Sequence, residues 1–225
     1  MSHLTFKTIF ISDLHIGSDI TNHNKLFKFL ESIECDKLFL VGDIIYRNIK
    51  EDDERLTKLI DILNSKSCEI IFIIGNHEIS RKLPMPKVLR DIKFHKSYIY
   101  KSKDKKYLIE HGDSYDTKDK ILQTLKKVDK KTHVKIKNRA IKAYIKKRLH
   151  KILKATAKVV LHKSYSKYMS LKAKKNRCNG VICGHFHKPN ISKKYGIEYY
   201  NCGDWDNNCT YIAEDFDGKL RLYRF

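Results

Sequence analysis

Thr8-Ile9-Phe10-Ile11-Ser12-Asp13-Leu14-His15 opens as an apolar strand and ends abruptly in a carboxylate and an imidazole. The same grammar returns twice within the first eighty residues. Lys37-Leu38-Phe39-Leu40-Val41 runs into Gly42-Asp43, and Glu69 to Ile74 runs into Gly75-Asn76-His77-Glu78. Between these runs, Leu26, Phe27, Phe29, Leu30 and Ile33, and then Leu56, Leu59, Ile60 and Leu63, recur on one side of a helix. Alternating strands and helices of this kind predict an α/β fold whose strands are parallel and buried on both faces. In open sheets of that class, ligands collect at the carboxyl ends of the strands.

Two later strands extend the pattern. Tyr107-Leu108-Ile109 is followed by His111-Gly112-Asp113, and Val181-Ile182-Cys183 by Gly184-His185-Phe186-His187. Five strand ends thus deliver Asp13, His15, Asp43, Asn76, His77, His111, His185 and His187, which are expected to converge on one rim. After Pro189 further strands are predicted at Ile191–Lys194, Glu198–Asn201, Thr210–Ala213 and Leu220–Phe225, with a turn at Asp217-Gly218.

Aspartate and neutral histidine suit borderline divalent metals such as manganese, iron and zinc. A carboxylate such as Asp43 has two oxygens and can bridge two ions held ~3.5–4 Å apart, the spacing of two-metal hydrolysis. A water between such ions becomes a nucleophile near neutral pH, and the ions neutralise charge building on phosphoryl oxygens. Each motif alone is weak, because Asp-x-His arises by chance and Gly-Asn-His-Glu can be a plain turn. Their order, each one behind an apolar strand, carries the reading.

The set resembles the calcineurin-like metallophosphoesterase superfamily, with motifs running from Asp13 to His187. The resemblance implies a four-layer α+β sandwich with a βαβ core. It also implies that Asp13, His15, Asp43 and His187 bind a first metal, and that Asp43, Asn76, His111 and His185 bind a second. His77 matches the histidine that contacts the phosphate and protonates the leaving group or stabilises charge.

A narrower resemblance rests on His111-Gly112-Asp113, on Gly180 to His187, and on Tyr200-Asn201-Cys202-Gly203-Asp204-Trp205. These are similar to the UDP-2,3-diacylglucosamine diphosphatase family of lipid A synthesis. That family releases UMP and a diacylglucosamine 1-phosphate, uses manganese as its usual activator, and shelters acyl chains under a helical cap. Two departures stand out. Gly-Asn-His-Glu replaces the Gly-Asn-Arg-Asp of the best-described branch, and the residues after Gly-Asp-Trp differ.

The net charge of +21 is concentrated in one segment. Residues 117–177 hold 22 Lys or Arg against Asp119 and Asp129, a sum of +20, which leaves +1 for the rest of the chain. No glycine or proline falls between Gly112 and Gly180, and Ile141, Tyr144, Ile145, Leu149, Ile152, Leu153, Val160 and Leu161 recur at near-helical spacing. We therefore read 117–177 as a basic helical insertion, or cap, within a single domain of 1–225. Its cations suit an anionic membrane surface or a phosphate backbone. Simple packing on the catalytic domain accounts equally well for its apolar stripe. Only Tyr144, Tyr165 and Tyr168 are present there to stack on bases.

The six cysteines form no CxxC pair and are expected to be reduced thiols of a cytosolic protein, peripheral on the inner membrane face at most. No apolar run approaches the ~18–20 residues that a membrane span needs. The leading expectation is a dimetal hydrolase acting on a nucleotide-linked lipid. A nuclease or nucleotide phosphatase is the alternative, and a non-catalytic scaffold of the same fold comes third.

Overall fold

A computed structural model describes residues 4–80, 93–115 and 162–225. Strands β1 (Leu4–Ile11), β2 (Ile33–Val41) and β3 (Glu69–Ile73) lie side by side and parallel, with Phe10 opposite Phe39 and Phe39 opposite Ile71. Helices α1 (His23–Ser32) and α2 (Glu54–Asn64) make the crossovers. Each begins at a side-chain cap: Asn22 accepts the Lys25 N–H, and Asp53 accepts the Arg55 N–H. Ile33, expected on the first helix face, is instead the first residue of β2, because α1 passes into the strand without a loop.

A short helix α3 (Asn76–Ile79) follows β3. The first sheet is completed by β4 (Phe94–His95), β10 (Thr210–Glu214) and β11 (Leu220–Arg224), in the order β11-β10-β1-β2-β3-β4. A second sheet holds β5 (Tyr98–Ser102), β6 (Lys105–Ile109), β7 (Gly180–Cys183), β8 (Asn190–Lys194) and β9 (Ile197–Asn201), in the order β5-β6-β7-β9-β8. Both sheets are mixed: β10 runs antiparallel to β1, and β5 and β8 antiparallel to β6 and β9. The parallel reading thus holds for β1–β2–β3 and β6–β7–β9, while the single expected rim is built from the ends of two sheets.

The apolar runs are continuous because the first sheet is covered on both sides. Ile9, Ile11, Leu38, Leu40 and Phe72 pack with Leu26, Phe29, Leu30, Leu56 and Leu59 of the helices. The alternate residues Phe10, Phe39, Val41, Ile71 and Ile73 pack with Tyr100, Tyr107, Ile109 and Ile182 of the second sheet. Phe10 and Phe39 stack at 4.8 Å, and the edge of Tyr100 meets both at 5.4 Å. The observed layering is helix, sheet, sheet.

The chain divides into two compact units, residues 1–113 with 169–225, and residues 114–168. All strands named above belong to the first. In the second, Tyr115 packs on Tyr165 and Tyr168 at 5.7 and 5.2 Å. Most of the expected basic insertion, residues 116–161, lies outside the described residues, and residues 162–175 are helical. Among the described residues no helix is long and apolar enough to cross a membrane.

One buried charge ties the sheets together. Glu214 of β10 is fully buried and accepts the hydroxyls of Tyr100 and Ser102 from β5, with Lys7 Nζ at 3.6 Å. Tyr100 also shares a hydrogen bond with Thr8 of β1 at 2.6 Å. Removing the carboxylate strands these groups between layers. Glu214→Ala should lower unfolding stability by roughly 3 kcal/mol, read from urea midpoints. A shift under about 0.5 kcal/mol, the range of ordinary surface changes, would show that the network carries no stability.

Candidate metal centre

Five of the eight predicted residues stand on strained backbone just beyond the strands. Asp13, His15, Asp43, His185 and His187 have φ of 53°, 43°, 52°, 68° and 51°, in the left-handed region that side chains seldom adopt. Only nine described non-glycine residues do so, and these are five of them. Backbone bonds beyond β1 and β2 hold the conformation: Asp13 N–H to Gly42 O and His15 N–H to Asp43 O, both 3.0 Å.

Glu78 fixes the same corner from below. Its carboxylate accepts four backbone N–H groups, from Asp43 (2.9 Å), Ile44 (2.8 Å), Ile45 (3.0 Å) and Gly75 (2.8 Å). The acid of Gly-Asn-His-Glu is therefore a brace between the ends of β2 and β3. Close approach explains two glycines. A Cβ at Gly42, which also has φ of 79°, would strike the His111 ring, and one at Gly184 would strike the Asp13 carboxylate.

The side chains meet around Asp43. Its Oδ2 lies 3.3 Å from His111 Nε2, 3.6 Å from His15 Nε2 and 3.9 Å from His77 Nε2. Its Oδ1 accepts the His77 backbone N–H at 2.7 Å. Asp13 Oδ1 faces His187 Nε2 at 3.2 Å, while Asp13 Oδ2 accepts the His185 N–H at 2.9 Å. His111 Nδ1 sits 3.0 Å from the Val41 carbonyl, which leaves its Nε2 for Asp43. Among the described residues, four groups have donor atoms close enough for one ion: Asp13, His15 and His187; Asp43, His111 and His185; His15, Asp43 and His77; and His187, Asp204 and Asp206.

Asn76 lines the same cavity of about 310 Å³, beside His15, Asp43, His77, His185, His187, Tyr46 and Ile20. All eight predicted residues are thus brought together, with the His77 ring farther from Asp43 Oδ2, at 3.9 Å, than those of His111 and His15. Asp206, Tyr46 and Ile20 were not anticipated. Asp206 had one signal, an acid directly after the Gly-Asp-Trp segment.

Electrostatics sorts the histidines into two kinds. Burial works against protonation of His15, His111 and His187, yet the carboxylates of Asp206, Asp43 and Asp13 overcome it. His15 is pushed up to about 9, and His111 and His187 to about 10. Burial also raises Asp43 and Asp206, but their imidazole partners outweigh it and hold both below the usual carboxylate range. Burial keeps His77 below its ordinary value and takes His185 down to about 4. Without metal, cationic imidazoles and carboxylates therefore neutralise one another.

The donors fit divalent cations. Imidazole and carboxylate mixtures of this kind bind borderline metals. Asn76 Oδ1 is buried, with no hydrogen-bond partner among the described residues, a group that a cation would satisfy.

A rim of Asp, Asn and His at the ends of two facing mixed sheets, five of them on strained backbone, fits a metal-dependent phosphoesterase. The chain belongs to the calcineurin-like phosphoesterase family, whose model matches residues 6–189. It is 24% identical over 239 residues to a UDP-2,3-diacylglucosamine hydrolase of Psychromonas ingrahamii, covering 96% of both chains. Similar solved structures include Vacuolar Protein Sorting 29 from Cryptosporidium parvum, 14% identical with a TM-score of 0.46 over 96% of this chain and 94% of that one. Another is a novel archaeal phosphodiesterase, 15% identical with a TM-score of 0.48 over 97% and 99%.

The raised imidazoles set a pH dependence. A histidine whose native value exceeds the ordinary 6.5 contributes stability that is complete below 6.5 and lost as pH rises through the native value. The urea midpoint of chelator-treated protein should therefore fall between about pH 6.5 and 10, and a divalent cation, competing with those protons, should remove the fall. A midpoint rising over that range without metal would contradict the pairing.

Proposed function

We propose that this chain is a dimetal hydrolase of phosphoester or diphosphate bonds. Asp13, His15, Asp43 and His187 would hold one divalent ion, and Asp43, Asn76, His111 and His185 the second. The observation that carries the reading is Asp43 Oδ2, buried within 3.9 Å of three imidazole Nε2 atoms. Bound there, the ions supply a water-derived nucleophile and neutralise phosphoryl charge. Asp43, whose Oδ2 faces both His15 and His111, would be shared between the two donor groups. The strained backbone and the Glu78 brace keep the donors in place, so little reorganisation accompanies the reaction.

His77 has a separate part. It lines the cavity, and burial keeps it neutral until an anionic phosphate arrives and favours its protonated form. It then donates a hydrogen bond to the phosphoryl group or a proton to the leaving oxygen. Tyr46, whose ring lies 5.3 Å from that of His77, walls the same side.

For the substrate we propose UDP-2,3-diacylglucosamine, cleaved to UMP and diacylglucosamine 1-phosphate. Similarity over nearly the full length of both chains supports this reading. So does the basic segment, whose cations would hold the enzyme at the cytoplasmic face of an anionic membrane, where such a lipid resides. Manganese is the proposed metal, and the donor set also accommodates iron or zinc. The same +20 segment favours a second reading, hydrolysis of nucleic acid or nucleotides. A scaffold without catalysis is disfavoured by the complete donor set.

Hydrolysis of the lipid nucleotide with manganese, run beside single- and double-stranded DNA, separates the substrates. UMP release with intact DNA is expected, whereas cut DNA with untouched lipid would transfer the site to nucleic acid. Asp43→Ala should bind neither metal and lose at least ~10³-fold in kcat, because one carboxylate serves both ions. His77→Ala should keep two metals per chain by elemental analysis and lose ~10²–10⁴-fold in rate. Loss of metal in His77→Ala would make that residue a ligand.

A further inference from the structure

The segment Gly203 to Asn208 is fastened to the metal centre at several points. Ser12 Oγ–H donates to the Gly203 carbonyl at 3.1 Å, and the Trp205 N–H to the Asp13 carbonyl at 3.2 Å. The Trp205 carbonyl in turn accepts the Asn22 N–H at 3.2 Å. The Trp205 ring is wholly buried against Phe29, with centroids 4.8 Å apart. The next residue, Asp206, therefore leaves a rigid anchor, and its carboxylate meets Thr21, His15 and His187.

The Asp206 carboxylate divides its oxygens. Oδ1 accepts the Thr21 hydroxyl at 2.9 Å, which fixes the plane of the group. Oδ2 faces two imidazoles at once, His15 Nδ1 at 3.5 Å and His187 Nδ1 at 3.6 Å. Those rings stack in near-parallel fashion, 5.0 Å apart and 21° from coplanar. Their opposite nitrogens, both Nε2, point at the carboxylates of Asp43 and Asp13. One oxygen thus sits behind both rings, on the side away from the metal-binding carboxylates.

Asp204 offers no such contact. Its Oδ1 accepts the Asn207 and Asn208 N–H groups at 2.7 and 3.1 Å, and its Oδ2 the Asn208 side-chain amide. That amide also donates to the His187 carbonyl at 3.0 Å. Asp204 therefore shapes the loop and seats His187.

We propose that Asp206 is a positioning residue whose Oδ2 pairs with the Nδ1–H groups of His15 and His187 together, so that both rings present Nε2 to one metal position. A metal-ligating imidazole whose far N–H is held by a carboxylate has its tautomer and orientation fixed and its basicity raised. Here a single carboxylate does this for two ligands of the same ion. The inference rests on the assignment of His15 and His187 as ligands. The second position, formed by Asp43, Asn76, His111 and His185, has no contact with Asp206 among the described hydrogen bonds and ion pairs. Asp206 therefore acts on one position selectively.

The test is zinc titration by calorimetry of wild type, Asp206→Asn and Thr21→Val, with ¹⁵N imidazole spectra of the zinc-loaded proteins. Asp206→Asn, which keeps shape but loses an acceptor oxygen, should weaken one of the two equivalents 10–100-fold and leave the other unchanged. It should also erase the paired Nδ1–H signature of His15 and His187. Thr21→Val, which frees the carboxylate plane without touching an imidazole, should weaken the same equivalent by a smaller factor. Equal weakening of both equivalents, or unchanged affinities and tautomers in Asp206→Asn, overturns the proposal. A wild-type protein that binds no zinc would instead bring down the ligand assignment beneath it.

Discussion

Burying a carboxylate among imidazoles and away from water is costly unless every charge is answered, and the rest of the site follows from how this is done at Asp43. Three Nε2 atoms surround one of its oxygens, and the other oxygen is held by the His77 backbone N–H. That arrangement requires β1, β2 and β3 to end level with one another and β6 to bring His111 across from the second sheet. Glu78 supplies the complementary brace, a second carboxylate satisfied by four backbone N–H groups instead of by cations. Two acids thus build the corner, one for chemistry and one for shape.

Much of this was legible in the chain. Apolar runs that stop at a glycine or a polar residue located β1, β2, β3, β6 and β7 to within a few positions, since both faces of those strands are covered and alternation is erased. The eight motif residues were recognisable because each follows such a run. The residue pattern alone did not show the split into two sheets, which only the resemblance to a four-layer sandwich implied. Strand pairing is a long-range choice, and β5, with its alternating exposed Ile99 and Lys101, reads as ordinary surface until β6 lies beside it. Asp206 escaped for the same reason, because its partners lie 191 and 19 positions away and no local pattern records them.

The departures from the narrower resemblance acquire a physical sense. Asp206-Asn207-Asn208 follow a Gly-Asp-Trp core whose tryptophan is packed into the helix-facing side of the first sheet. They turn that anchor into a polar lattice, in which Thr21, His15, His187 and the Asp204 carboxylate are all engaged. Gly-Asn-His-Glu, the other departure, sets His77 against Tyr46 and gives the brace an acid long enough to reach four amides.

The central place of β1 between β2 and β10 has a consequence for how the molecule comes into being. Asp13 and Asp43 leave the ribosome long before His185, His187 and Asp206, and β1 cannot complete its pairing until β10 has been made. Contacts that close so late in the chain make for slow folding. A nascent chain that ends before β7 consequently lacks His185, His187 and Asp206, and the donor set is complete only once the last strands have been made.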